Sequence, residues 1–174
     1  MKKLTLTKKS LDELAKTMDV IPESERDNYW GMYDGDCFWR CVAYLSGAGI
    51  SESAAASYAT GYYASQYSGS DAEKIAQATS YLAQNGAGMN LADARNYAQA
   101  NMVGNNNQQL LWINPDKFNY YGENGYGAIA PNVGHYVILT FSNNGSPMIV
   151  DPQNGVSFYT SSSEINQPGA FKSV

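Results

Sequence analysis

The stretch Gly134-His135-Tyr136-Val137-Ile138-Leu139-Thr140-Phe141-Ser142, then Asn143-Asn144-Gly145, then Ser146-Pro147-Met148-Ile149-Val150-Asp151 decides the fold of the second half of the chain. Two apolar, β-branched runs joined by asparagine and glycine read as an antiparallel hairpin. Loop length sets its register. With a three-residue loop at 143–145, Ser142 opposes Ser146 and Asp151 opposes Val137. Side chains alternate with period two, so Val137 and His135 share a face and Asp151 falls diagonally beside His135, within reach of its imidazole. A two-residue loop, Asn144-Gly145, instead puts Asp151 opposite Ile138 on the other face. One loop residue therefore decides whether the single histidine of the chain has an acid beside it.

Outward from the hairpin, strand-like runs fall at 109–113, 134–142, 147–151 and 156–160, giving a mainly antiparallel sheet. The tail after Ser161 carries little signal. Before the polar loop Gly104-Asn105-Asn106-Asn107 the pattern is helical: a stretch opening at Asp36-Cys37, with Phe38, Cys41, Val42 and Leu45 on its apolar side and Gly47 and Gly49 at its end, then stretches near 51–67, 70–84 and 90–102. Ser51 or Ser53 and Ser70 stand at two of the helix starts. A helical half followed by a sheet is an α+β order.

Chemistry concentrates on few residues. A thiol attacks a carbonyl only as thiolate, and a helix N-terminus beside an imidazole favours that form. Cys37 has the first by position, and only His135 can supply the second. The unpaired N–H groups of the helix start also suit an oxyanion. Asp34 and Asp36 oppose thiolate formation by their charge unless they cap the helix or bond to backbone amides. Each residue has a plainer role open to it: Cys37 as a small core hydrophobe, His135 as a strand-end histidine held by backbone, Asp151 as the first residue of an Asp-Pro turn. Cys41, one turn into the helix, reads as core. Four apart on one helix, Cys37 and Cys41 bridge poorly as a disulfide. Cys37, Cys41, His135 and Asp151 are suitable ligand types for zinc, but Cys-x3-Cys spacing on a helix is uncommon for it, and neither metal nor cofactor is expected.

A chain of 174 residues suits one core of ordinary size. Its formal net charge of −5 argues against nucleic acid as a partner. Only 16% of residues are charged, and 14 tyrosines and 16 glycines accompany many asparagines, a surface polar through amides and phenols that points to an exported protein. No apolar run reaches the roughly 18 residues a membrane span needs. Lys8-Lys9-Ser10-Leu11-Asp12-Glu13 stands where a Sec signal would place its apolar region. Ser10-Leu11-Asp12-Glu13 instead has capping-box form, with Leu11, Leu14, Ala15 and Met18 on one stripe of a short helix ended by Pro22. A polar linker, 23–28, leads to Tyr29-Trp30-Gly31.

Asp34-Gly35-Asp36-Cys37-Phe38-Trp39-Arg40-Cys41-Val42-Ala43 resembles the nucleophile motif of OTU-type deubiquitinases. Gly134-His135-Tyr136-Val137 with Asp151-Pro152-Gln153-Asn154-Gly155 is similar to the histidine and acid segments of C39-like bacteriocin-processing peptidases and papain-like toxin domains. The shared implication is a papain-like cysteine peptidase, with Cys37 as nucleophile, His135 as base, Asp151 as the group orienting it, and Asp34, Gly35 and Asp36 in the oxyanion loop. Expected activities are peptide or isopeptide hydrolysis of a protein substrate, or glutamine deamidation or acyl transfer on the same triad. A different class, an exported non-catalytic protein with tyrosines forming a surface for glycan or protein, stays open. Residues 1–31 resemble a double-glycine-type leader. That implies export by a non-Sec route through a peptidase-containing ABC transporter reading Leu11, Leu14 and Met18, with 32–174 as the peptidase domain. An N-terminal helix that packs on or trails from a cytoplasmic protein is the alternative.

Overall fold

The computed structural model of the chain describes residues 35–104, 107–124 and 134–174. The chain parts into two units, Met1–Trp30 and Gly31–Val174, and every described residue belongs to the second. The expected leader helix with Leu11, Leu14 and Met18, its boundary at Gly31, and Asp34 of the expected oxyanion loop lie outside the described residues.

Among the described residues four helices come first: α1 Cys37–Leu45, α2 Glu52–Ala64, α3 Asp71–Asn85 and α4 Leu91–Ala100. Their boundaries follow local chemistry. Ser51 caps α2 by accepting from Ala54 N at 3.2 Å, and Ser70 and Glu73 form a reciprocal capping box on α3. Asn90 caps α4 through Asp93 N at 2.9 Å. At the far end of α1, Gly47 N bonds Tyr44 O and Ala48 N bonds Ala43 O, with Gly47 at φ +75°, the left-handed exit that glycine adopts without strain. The same pattern ends α4, where Val103 N bonds Ala98 O, but there Met102 occupies the left-handed position at φ +49°.

The sheet follows, with strands β1 Gln108–Ile113, β2 His135–Phe141, β3 Pro147–Asp151, β4 Val156–Tyr159 and β5 Phe171–Ser173 in the order β4-β3-β2-β1-β5. Every pairing is antiparallel. Ile138 pairs Val150 and Phe141 pairs Pro147, and Ser142 N bonds Ser146 O at 2.9 Å, so the hairpin uses the three-residue loop. Asp151 therefore shares a sheet face with Val137 and His135. Between β1 and β2 lie a 3₁₀ turn, Pro115–Lys117, and a short helix α5, Asn119–Glu123; α6, Ser162–Ile165, precedes β5. These short pieces and β5 were not expected from the sequence. Three to five residues are too few for a period to show.

The sheet buries both faces. Leu110, Tyr136 and Ile138 pack with Phe38, Trp39, Cys41 and Val42 of α1 and with small residues of α2 and α4. Leu111, Ile113, Val137, Leu139 and Ile149 pack with Phe118, Tyr121 and Phe158 on the other side. An α+β architecture with a helical first half is thus what this sequence forms.

Met102 offers a test of this reading. Its side chain is 87% exposed, so it gains little by packing, while a left-handed backbone strains any residue with a Cβ. Met102→Gly is expected to raise stability by up to about 1 kcal/mol, relief of strain outweighing the added freedom of the unfolded chain. Urea denaturation with unchanged m-value checks it.

Candidate active site

Cys37 is the first residue of α1, and its helix packs against β2 so closely that the Cys41 thiol donates to Tyr136 O at 3.3 Å. Burial pushes the Cys41 thiol well above its ordinary value, the charge of Cys37 adding to the effect, so Cys41 is a core thiol. Cys37, 9% exposed, lies at the end of the helix where the first-turn N–H groups lack intrahelical partners. Its thiol approaches Gly35 O at 4.0 Å. Both cysteines are free.

Gly35 shapes the approach to this thiol. It sits at φ +81°, and a Cβ built there would come within 2.7 Å of Gly88 Cα, so two backbones pass where no side chain fits. The loop carrying Gly88 is pinned from inside by three aromatic donors: Trp39 Nε1 to Ala87 O at 2.9 Å, Tyr136 OH to Met89 O at 2.9 Å and Tyr63 OH to Gly88 O at 3.5 Å.

His135 opens β2 and is buried, 5% exposed. Its Nε2 lies 2.8 Å from Asp151 Oδ2, and Cys37 is a hydrogen-bonding and charge partner of the same ring. The structure thus brings together Cys37, His135 and Asp151, with Gly35 and Asp36 beside the thiol.

Asp151 is fully buried, and five groups among the described residues donate to it. His135 Nε2, Tyr121 OH at 2.9 Å and Asn154 Nδ2 at 2.6 Å share Oδ2; Gln153 N at 3.1 Å and Asn154 N at 3.2 Å share Oδ1. Tyr121 and Asn154 were not singled out from the sequence. Asn154 stands three residues after an aspartate in an Asp-Pro turn, a spacing that favours such a bond. Tyr121 gave no signal, since α5 is one turn long and lies 30 residues before Asp151.

The electrostatics follow from these contacts. Burial works to lower the His135 pKa, but the hydrogen bond and charge of Asp151, then those of Cys37, raise it from 6.5 to about 10. Burial likewise works to raise the Asp151 carboxyl, but the charge and hydrogen bond of His135, with the hydrogen bonds of Asn154 and Tyr121, hold it below 3.8. At neutral pH an imidazolium therefore stands between Cys37 and a carboxylate. Asp36 lies at the N-cap position of α1 without a side-chain cap bond. It pairs instead with Arg40, Nε to Oδ2 at 2.8 Å. No group of three or more His, Cys, Asp or Glu side chains among the described residues is placed to hold a metal ion.

Away from the thiol, a groove of about 640 Å³ runs between α2 and α4, lined by Tyr58, Tyr62 and Tyr97 with Asp93, Asn96 and Asn101. No described helix is long and apolar enough to cross a membrane. Comparison of the chain with protein-family models, with curated proteins and with solved structures finds no match.

The paired shifts predict a pH window for stability. His135 binds its proton more tightly folded than unfolded, so its contribution is complete below pH 6.5 and lost as pH rises toward about 10. Asp151 is shifted down, so its contribution is complete above pH 3.8 and lost as pH falls through the folded value. The stability difference between wild type and His135→Gln should peak between pH 3.8 and 6.5 and shrink on both sides. Urea titrations across pH measure it; a difference that grows above pH 8 contradicts the pairing.

Proposed function

We propose that the chain is a papain-like thiol hydrolase acting on peptide or isopeptide bonds of a protein substrate. The observation that carries this reading is the Nε2 to Oδ2 contact of 2.8 Å on a histidine that also interacts with Cys37, the first residue of a helix. A structural histidine needs one partner, whereas a nucleophile's base needs a proton donor on one side and an orienting acid on the other.

In the mechanism this supports, Cys37 reacts as a thiolate whose proton His135 already holds, and the sulfur attacks the carbonyl carbon of the substrate. The carbonyl oxygen takes the displaced electron pair and is met by backbone N–H groups at the start of α1 and in the loop of Gly35 and Asp36. Imidazolium then protonates the departing amine as the carbon–nitrogen bond breaks, leaving a thioester on Cys37. Water, losing a proton to His135, attacks the thioester, and the thiolate leaves with the acid product formed. Asp151 keeps the ring in one orientation and balances its charge throughout. Glutamine deamidation follows the same steps with ammonia as leaving group, and acyl transfer replaces water with another nucleophile.

On this reading residues 1–31 act as an export leader and the enzyme works outside the cell. The second reading, a non-catalytic exported binding protein, draws on the groove of Tyr58, Tyr62 and Tyr97, whose rigid phenols give contact area at low entropic cost.

An activity-based thiol probe separates the two. Wild type should be labelled at Cys37, Cys37→Ala not at all, and His135→Ala at least about 100-fold more slowly, the usual contribution of a positioned base. Equal labelling of wild type and His135→Ala removes the base assignment, and an unreactive wild type favours the binding protein.

A further inference from the structure

The residue before the nucleophile is an acid. Asp36 is 4% exposed, its Oδ2 is paired with Arg40 one helical turn on, and its Oδ1 is buried without a hydrogen-bond partner among the described residues. Arg40 is itself nearly buried and held in a fixed fork: Nε on Asp36 at 2.8 Å, Nη1 donating to Ile50 O at 3.2 Å and Nη2 on Glu52 Oε1 at 3.0 Å. We propose that Arg40 is a positioning residue for the Cys37–His135 pair, acting through Asp36, whose charge it cancels beside the nucleophile so that Cys37 is held as a thiolate against the imidazolium. The proposal rests on Cys37 being the nucleophile.

Two observations speak against a purely stabilising role for the pair. First, Asp36 stands at the N-cap of α1 yet makes no side-chain cap bond, so the usual gain from an acid at that position is not realised. Second, a buried ion pair with an unsatisfied oxygen is a poor source of stability. In keeping with this, burial raises the Asp36 carboxyl above 3.8 even though Arg40 opposes it by hydrogen bond and charge. What the pair does achieve is local neutrality next to Cys37.

The charges around the thiol show why that matters. Among the described residues, Cys41 of α1 and His135 and Tyr136 of β2 interact with Cys37, Asp36 precedes it at the N-cap, Asp151 of β3 lies on the far side of His135, and Glu52 of α2 lies behind Arg40. Burial, foremost, keeps Cys41 and Tyr136 protonated. Three carboxylates and two cations remain. Without Arg40, three carboxylates face one cation, and a thiolate must form beside an uncompensated Asp36. Charge repulsion between neighbouring residues in a buried site is worth about a pH unit.

The test is the pH dependence of iodoacetamide alkylation of Cys37 in the full chain, followed by intact-protein mass. Arg40→Met should move the midpoint up by about one pH unit, making alkylation at pH 7 about tenfold slower. Asp36→Asn should move it down, since a carboxylate next to Cys37 is removed while Arg40 stays, held by Glu52. The double variant Asp36→Asn/Arg40→Met should return to within about 0.3 unit of wild type, which a packing role cannot produce. An unmoved midpoint in Arg40→Met, or a double variant as displaced as Arg40→Met, overturns the proposal. Should Arg40→Met fail to fold, Asp36→Asn and the double variant decide: a downward shift with restoration supports it, and no shift overturns it. A wild-type Cys37 no more reactive than a free cysteine overturns the nucleophile reading itself, a result distinct from all of these.

Discussion

A carboxylate that no water reaches must be surrounded by donors or lose its charge. Asp151 meets that demand with His135, Tyr121, Asn154 and two backbone amides, and much of the second half of the fold exists in the form those donors require. The hairpin loop of three residues puts Asp151 on the face of His135. The turn after β3 folds Gln153 and Asn154 back over it. Tyr121 comes from α5, whose first amide, Asn119 N, is held by Glu164 Oε1 at 2.8 Å, and Glu164 is in turn fixed by the capping box of α6. Residues near the C-terminus thus help set the direction in which an imidazole points.

The helical half imposes a second, complementary order. Phe38 and Trp39 follow Cys37 directly and are fully buried, packed edge-on against Tyr97, with Phe38 also against Tyr136 and Trp39 beside Tyr62. Such aromatic packing fixes the rotation of α1 about its axis, and with it the direction of Cys37. The same cluster supplies Trp39 and Tyr136 as donors to the loop at 86–90, so the segment that touches Gly35 is located by the rings that orient the thiol. Tyrosine abundance, read from composition as surface polarity, is in part this interior network. The groove between α2 and α4 uses the remaining edges of Tyr58, Tyr62 and Tyr97.

How much of this was legible depends on the range of the interaction. Capping residues Ser51 and Ser70, the glycine exit of α1, and the hairpin that aligns Asp151 with His135 are set by neighbours within a few positions, and each could be read from the sequence. The ion pair of Asp36 and Arg40 is equally local, since an acid at a helix start and an arginine four residues on meet across one turn. Tyr121 was not readable in any such way. A five-residue helix shows no period, and nothing near Tyr121 in sequence indicates that its hydroxyl ends on a carboxylate 30 residues away. Met102 broke the expected course of α4 because the rule for left-handed exits anticipates glycine or asparagine, not methionine.

The contacts that assemble the site span very different distances along the chain. His135 and Asp151 are 16 residues apart, Trp39 and Ala87 are 48, and Cys41 and Tyr136 are 95. A hairpin formed alone can bring His135 toward Asp151, but an isolated hairpin is marginal in water and leaves the carboxylate solvated. Burial of Asp151 requires Tyr121 and Phe158 over one face of the sheet, and docking of Cys37 requires α1 on the other. The shift of His135 depends on both, since it draws on Asp151 and Cys37 together. Both layers must therefore close on the sheet before imidazolium stands beside the thiol, and the chemistry of the site is a property of the finished fold rather than of any one segment.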